Sequence, residues 1–181
     1  MKRGKLNREV AISEAVKIVQ EKGINGLTYN GLARALEIQP QSLYRYLKNI
    51  TDAKSEVIAS IINKWVHDIN IKLKPYSGKE YLKQFAIYFL NAQSDILNTE
   101  VLTALSKYNQ ITCVQTAIKN LHALPANVIK SITKNKNNVE LNIHLFINYL
   151  SGAALAMTIR VHPTSKENYI NNINRILTLI N

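Results

Sequence analysis

Residues 28–49 read Thr-Tyr-Asn-Gly-Leu-Ala-Arg-Ala-Leu-Glu-Ile-Gln-Pro-Gln-Ser-Leu-Tyr-Arg-Tyr-Leu-Lys-Asn. Leu32, Ala33 and Leu36 recur on one face of a helix that Thr28 can open, its hydroxyl serving as an N-cap. Glu37-Ile38-Gln39 reads as a turn. Pro40 then opens a second short helix, where a missing backbone N–H is harmless, with Leu43 and Leu47 facing inward. Helix, short turn, helix is common, so the residue chemistry has to sharpen it. Ala33 is small where the two helices must approach closely, and Ile38 is an apolar plug in the turn. The outward face of the second helix carries Gln41, Ser42, Arg45 and Tyr46, with Tyr44 and Lys48 beside it. These side chains donate to phosphates and base edges, and folding alone does not call for them. In a DNA-reading pair of this kind the second helix enters the major groove.

Upstream, Val10, Ala11, Ala15, Ile18 and Val19 recur at three- and four-residue steps, an amphipathic helix ending at Glu21-Lys22-Gly23. Gly23 suits a C-terminal cap. Downstream, the pattern predicts a long helix from Thr51 to Leu73, stopped before Pro75 and capped by Thr51 or Asn49. Further helices are expected over Lys79–Ala92, Thr99–Tyr108 and Ile111–Leu121. Pro125 is expected to interrupt, with a shorter helix reaching Ile132. Thr133 to Asn138 reads as a polar loop. Two last helices follow, Val139–Val161 and Ser165–Ile180, on either side of His162-Pro163. The expected class is all-α with about nine helices. A three-helix head over residues 1–50 would carry the helix-turn-helix, and residues 51–181 would form a helical body.

Composition agrees. The chain has 181 residues, 46% hydrophobic and 19% charged, a globular rather than disordered balance. Lys and Arg number 23 against 12 Asp and Glu, a net charge of +11, and such a chain attracts polyanions. Cys113 is the single cysteine, which excludes an intramolecular disulfide and a cysteine-based zinc cluster. The basic start has no apolar stretch of signal-peptide length, and no run reaches the roughly 18 apolar residues of a membrane span. The expectation is a soluble, cytoplasmic chain without a membrane partner. His67, His122, His144 and His162 are scattered, so no metal site is expected, and nothing calls for a cofactor. With no Ser-His-Asp logic, paired carboxylates or glycine-rich phosphate loop, an enzyme is not expected.

The head resembles the TetR family of regulators. The resemblance rests on Glu21-Lys22-Gly23, Leu27-Thr28 and Leu32-Ala33. Above all it rests on Gln39-Pro40-Gln41-Ser42-Leu43-Tyr44-Arg45-Tyr46-Leu47-Lys48-Asn49, and it covers about residues 8–60. The family pattern is a small hydroxyl residue, Leu, Tyr, any residue, an aromatic or His, an apolar residue, Lys or Pro, then Asn or Ser. It implies that Thr28 caps the second helix and touches a phosphate, with Tyr29 and Asn30 near the DNA. Pro40, Gln41 and Ser42 would begin the recognition helix, Gln41 being a candidate for an adenine contact. Tyr44 and Lys48 would reach phosphates, Arg45 would read guanine or hold a phosphate, and Tyr46 stands where relatives often have His. The arm Lys2, Arg3, Lys5 would enter the minor groove or stay disordered. Two departures stand out. Glu37 occupies a turn position that the family usually gives to Gly. Ile50 replaces a frequent Lys, leaving Lys48 or Lys54 to supply that phosphate contact.

For the body, the resemblance implies a ligand-binding and dimerising bundle whose last two helices pair between chains. Gly152 and Ala156 on one helix, with Tyr169, Ile173, Ile176 and Ile180 on the next, are the dimer candidates; contact within one chain is the alternative. Trp65, Tyr88, Tyr108 and Cys113 are candidates to line an effector pocket. The function this implies is a homodimeric regulator, commonly a repressor, that reads a palindromic operator in double-stranded DNA under control of a small-molecule effector. The alternative is a helical co-activator type that binds a protein partner and keeps only the shape of such a head.

Overall fold

In a computed structural model, residues 6–91, 99–159 and 165–180 are described. They form nine α-helices: α1 Arg8–Gly26, α2 Tyr29–Ala35, α3 Pro40–Leu43, α4 Ile50–Lys72, α5 Gly78–Asn91, α6 Thr99–Tyr108, α7 Thr112–Ile132, α8 Val139–Ile159 and α9 Lys166–Leu179. There is no strand among the described residues. A short 3₁₀ turn, Lys136–Asn138, leads into α8. The chain falls into two compact units, Met1–Asn63 with Glu100–Ile118, and Lys64–Thr99 with Lys119–Asn181. Among the described residues no helix is long and apolar enough to cross a membrane, and no group of three His, Cys, Asp or Glu could hold a metal ion.

In the first unit the buried stripe of α1 is Ala11, Ala15 and Val19. Gly23 breaks the helix with φ 71°, a value that glycine adopts without a Cβ penalty, and the chain completes one more turn through Gly26. Leu27, Leu32, Ala33, Leu43, Leu47, Ala53, Val57 and Ile58 complete a core of fully or almost fully buried side chains. Burial of apolar area at roughly 25 cal/mol per Å² is what holds elements as short as α2 and α3, which are too short to persist alone.

Two expectations about helix bounds change. The helix opened by Pro40 ends at Leu43, and residues 44–46 form turns. The Tyr46 amide donates to the Leu43 carbonyl three residues back, at 2.9 Å, tightening the chain so that Leu47 returns to the core. Pro125 does not interrupt α7, which runs unbroken from Thr112 to Ile132. Val114, Ala117, Leu121, Pro125 and Ile129 are buried at steps of three and four, and this continuous apolar stripe outweighs the one lost hydrogen bond.

In the second unit α5 packs on α8 and α9. Its core includes Leu82, Phe85, Ala86 and Leu90 from α5, Phe146, Leu150, Ala153 and Ala154 from α8, and Tyr169, Ile173, Ile176 and Leu177 from α9. Phe85 stands at 6.2 Å from Phe89 and 6.3 Å from Phe146, ring centre to ring centre. Such offset pairs add to simple burial. Buried Asn142 donates to Thr133 Oγ1 at 3.2 Å, so these two buried polar groups satisfy each other.

Candidate nucleic-acid interface

The turn between α2 and α3 is built tightly. Thr28 Oγ1 accepts from the Gly31 amide at 3.1 Å, capping α2 as its sequence suggests. A Cβ on Gly31 would stand 2.8 Å from that same oxygen, so the cap closes because residue 31 has no side chain. Leu36, Glu37 and Ile38 donate their amides back to the carbonyls of Leu32, Arg34 and Ala33. Glu37 has φ 55°, the one non-glycine with positive φ among the described residues. Pro40 then starts α3 at its first position.

This scaffold presents a mixed face. Thr28, Asn30, Gln41, Tyr44, Arg45 and Lys48 are exposed, Tyr44 by 60%, while Tyr29, Pro40, Ser42 and Tyr46 are half-buried. The rings of Tyr29 and Tyr44 stand 4.9 Å apart, which fixes Tyr44 while its outer face stays open. The Tyr29 hydroxyl donates to the Leu47 carbonyl at 2.7 Å, so it braces the segment from behind. Burial, with smaller contributions from Tyr44 and Asp52, pushes that hydroxyl's pKa upward and keeps it a donor. The arm residues Lys2, Arg3 and Lys5 lie outside the described residues.

A group that sequence reading missed lies beside this face. The Arg8 guanidinium, at the start of α1, donates to the Tyr46 carbonyl. It also reaches Asp52 at 3.2 and 3.4 Å and Glu56 at 2.6 Å. Asp52 Oδ2 accepts in turn from the Lys48 amide at 2.8 Å, and Asn49 Oδ1 caps α4 by accepting from the Asp52 amide at 2.9 Å. Partial burial pushes the Asp52 carboxyl up, but the bonds from Arg8 and from the Lys48 amide prevail and hold it below its ordinary 3.8. The signal in the sequence is the i, i+4 pair of acids, Asp52 and Glu56, on one face of α4; their partner lies 44 residues away from Asp52.

The dimer candidates divide by exposure. Tyr169, Ile173, Ile176 and Ile180 are buried within the second unit of a single chain. Gly152 is exposed with open space where a Cβ would stand, and Ala156 is half-buried. The exposed apolar positions of α8 are instead Leu141, Leu145 and Leu155, on the same side as Gly152 by helical spacing. Among the pocket candidates, Trp65 and Tyr88 meet in the second unit, with ring centres 6.4 Å apart, and Trp65 also touches Phe89 at 5.1 Å. Lys72 sits over the Tyr88 ring and donates to its hydroxyl at 3.2 Å. Tyr108 and Cys113 belong to the first unit and are not part of that cluster. A cavity of about 170 Å³ lies elsewhere in the second unit, lined by Ile87, Leu90, Asn91, Met157, Tyr169 and Ile170.

No family model matches the chain. The chain is 32% identical over 88 residues to the tetracycline repressor protein class D of Escherichia coli, and the match takes in 49% of this chain and 40% of that repressor. The chain thus aligns with less than half the length of this curated relative. Its fold is similar to that of SCO7222, a TetR from Streptomyces coelicolor, with TM-score 0.68, 17% identity and coverage of 97% of each chain. It is also similar to the multidrug binding protein EbrR solved with proflavin, with TM-score 0.63, 12% identity and coverage of 93% of this chain and 98% of that one. Sequence over about half the chain is thus similar to a tetracycline repressor, and the fold over nearly all of it is similar to that of a TetR.

Proposed function

We propose that this chain is a sequence-specific DNA-binding transcription regulator, acting as a homodimeric repressor whose operator affinity is set by a small molecule bound in the body. The observation that carries the reading is the exposed set Gln41, Tyr44, Arg45 and Lys48, held on a braced helix-turn-helix. Arg and Gln are suited to guanine and adenine edges in the major groove, and Tyr44 and Lys48 to phosphates. Gln41, Arg45 and Lys48 are exposed, and Tyr44 packs on Tyr29 with its outer face open. The tetracycline repressor to which half of the chain is similar carries the same activity in its name, and this supports the reading.

For pairing between chains, the exposed stripe Leu141, Leu145, Gly152 and Leu155 of α8 replaces the α9 residues, whose apolar faces are already covered within the chain. Two symmetric copies would give two recognition helices and a two-fold related pair of half-sites. For the effector, the cavity lined by Ile87, Leu90, Met157 and Ile170, with Asn91 as a polar handle, suits a small and largely apolar molecule. EbrR, of similar fold, is a multidrug binding protein. An effector regulates only if it binds one conformation of the dimer better than another.

The test is selection from a random-sequence duplex pool at near-physiological salt, using the purified full chain. Enrichment of a palindromic site supports the reading and supplies the operator. A folded, dimeric protein that enriches nothing overturns it in favour of a partner-binding regulator that keeps only the shape of a DNA-reading head.

A further inference from the structure

We infer that Arg8 is the positioning residue of the reading surface, a clamp that holds the Tyr44–Lys48 segment at its working angle by binding the Tyr46 carbonyl and the Asp52 and Glu56 carboxylates together. The inference rests on the DNA-binding reading above and assigns a part to residues that the family pattern quoted for the head does not include.

Within the segment that would face DNA, the Tyr46 and Leu47 amides both donate back to the Leu43 carbonyl, at 2.9 and 3.0 Å. Regular α3 helix stops at Leu43, and Tyr44, Arg45 and Tyr46 follow in turns. The Tyr46 carbonyl and the Lys48 amide, which a longer helix would engage internally, find partners outside it: the carbonyl accepts from Arg8 and the amide donates to Asp52. Arg8 also donates to Asp52, so one guanidinium and one carboxylate close a ring around the end of the segment. Glu56, one turn further along α4, takes another donor of the same guanidinium at 2.6 Å. A planar fork with five donors in fixed directions suits this task, and a lysine ammonium cannot match the geometry. Isolated exposed ion pairs contribute little, but here one cation binds three groups from two separate parts of the chain, α4 and the turn after α3. The Tyr29 hydroxyl on the Leu47 carbonyl braces the same segment. The segment therefore owes part of its shape to side chains that need not touch DNA.

Electrostatics separates this from a direct contact. Asp52 and Glu56 are negative charges close to the proposed DNA face. On charge alone, Asp52→Asn would strengthen binding to a polyanion. If Asp52 and Arg8 act by holding the segment, the same change weakens binding.

The experiment compares wild type, Arg8→Ala, Arg8→Lys, Asp52→Asn and the Arg8→Ala/Asp52→Asn double variant, all as the full chain. Each is titrated with the selected operator and with a random duplex over a range of salt. Positioning gives about a tenfold loss on the operator for Arg8→Ala, equivalent to about 1.4 kcal/mol, and a much smaller loss on random DNA. It also gives partial rescue by Arg8→Lys, weaker binding for Asp52→Asn, and a double variant no worse than Arg8→Ala alone. Equal loss on both duplexes, with the salt slope reduced by about one, would make Arg8 a phosphate contact and overturn the inference. So would stronger binding by Asp52→Asn. Amide hydrogen exchange in the free protein decides independently of DNA. Arg8→Ala must speed exchange at Tyr46 to Lys48 while the core amides of α4 stay protected; unchanged exchange there overturns the clamp. Wild type that selects no operator would sink the DNA-binding reading itself, a result distinct from failure of the clamp, which the exchange measurement still judges.

Discussion

Glu37 carries φ 55° at the tightest point between α2 and α3, where a Cβ meets the backbone. The sequence already marks it, because the family that the head resembles usually has glycine at this turn. Glu37→Gly removes about 1 kcal/mol of strain, partly offset by the greater freedom of glycine in the unfolded chain. A melting temperature raised by a few degrees is expected in a calorimetric scan, and a lower one would refute the strain. For recognition, Arg45→Ala is expected to lose about 1–3 kcal/mol on the operator and much less on random DNA. Lys48→Ala should weaken all sequences alike and flatten the salt dependence by about one unit. Titrations on both duplexes distinguish the two roles. Asp52 adds a pH dependence. Its carboxyl is held below 3.8 in the folded chain, so its contribution is present above that value and fades as pH falls through the folded value. Asp52→Asn should therefore cost stability at neutral pH, and its gap to wild type should close in acid, as followed by denaturant unfolding at a series of pH values.

Most of the helices are legible in the sequence because each rests on a short-range rule. Thr28 and Ser165 cap where a hydroxyl precedes an apolar-periodic run, and Asn49 is one of the two caps expected for α4. Pro125 shows where such rules stop. A proline predicts a break from its missing N–H, but α7 continues because its buried stripe runs past it. The extent of that burial depends on neighbours distant in sequence. The end of α3 at Leu43 is similar: the turn that follows depends on Leu47 reaching the core. Gly31 gives a test of local logic. Gly31→Ala would drive Thr28 Oγ1 off the α2 amide, at a cost of about 1 kcal/mol for the lost cap. The urea midpoint should fall, and Thr28→Ala combined with it should add little further. Additive losses would mean that the alanine acts elsewhere.

The division of labour between the two parts of the chain was less legible than the helices. Periodicity identifies Tyr169, Ile173, Ile176 and Ile180 as buried but not what buries them, and α5 and α8 turn out to share that work within one chain. The Arg8 cluster was equally hidden, since α1 and α4 carry its charges far apart in sequence. Trp65 with Tyr88 became a real neighbourhood, while Tyr108 and Cys113 stand in the other unit. If α8 is the pairing face, Leu141→Asp/Leu155→Asp should shift the protein from dimer to monomer in sedimentation and leave its helical content intact. A dimer that survives both charges would place the interface elsewhere.

Trp65 has a further use. It is the single tryptophan of the chain, fully buried against Tyr88 and Phe89, and its indole N–H has no hydrogen-bond partner among the described residues. A fully buried indole emits at short wavelength, and its emission moves when water or a polar group reaches it. The protein thus carries a built-in optical probe within the second unit, readable without labelling and selectively excitable over its nine tyrosines. Candidate effectors that reach or rearrange the Trp65 neighbourhood can be screened by that colour before any operator is known.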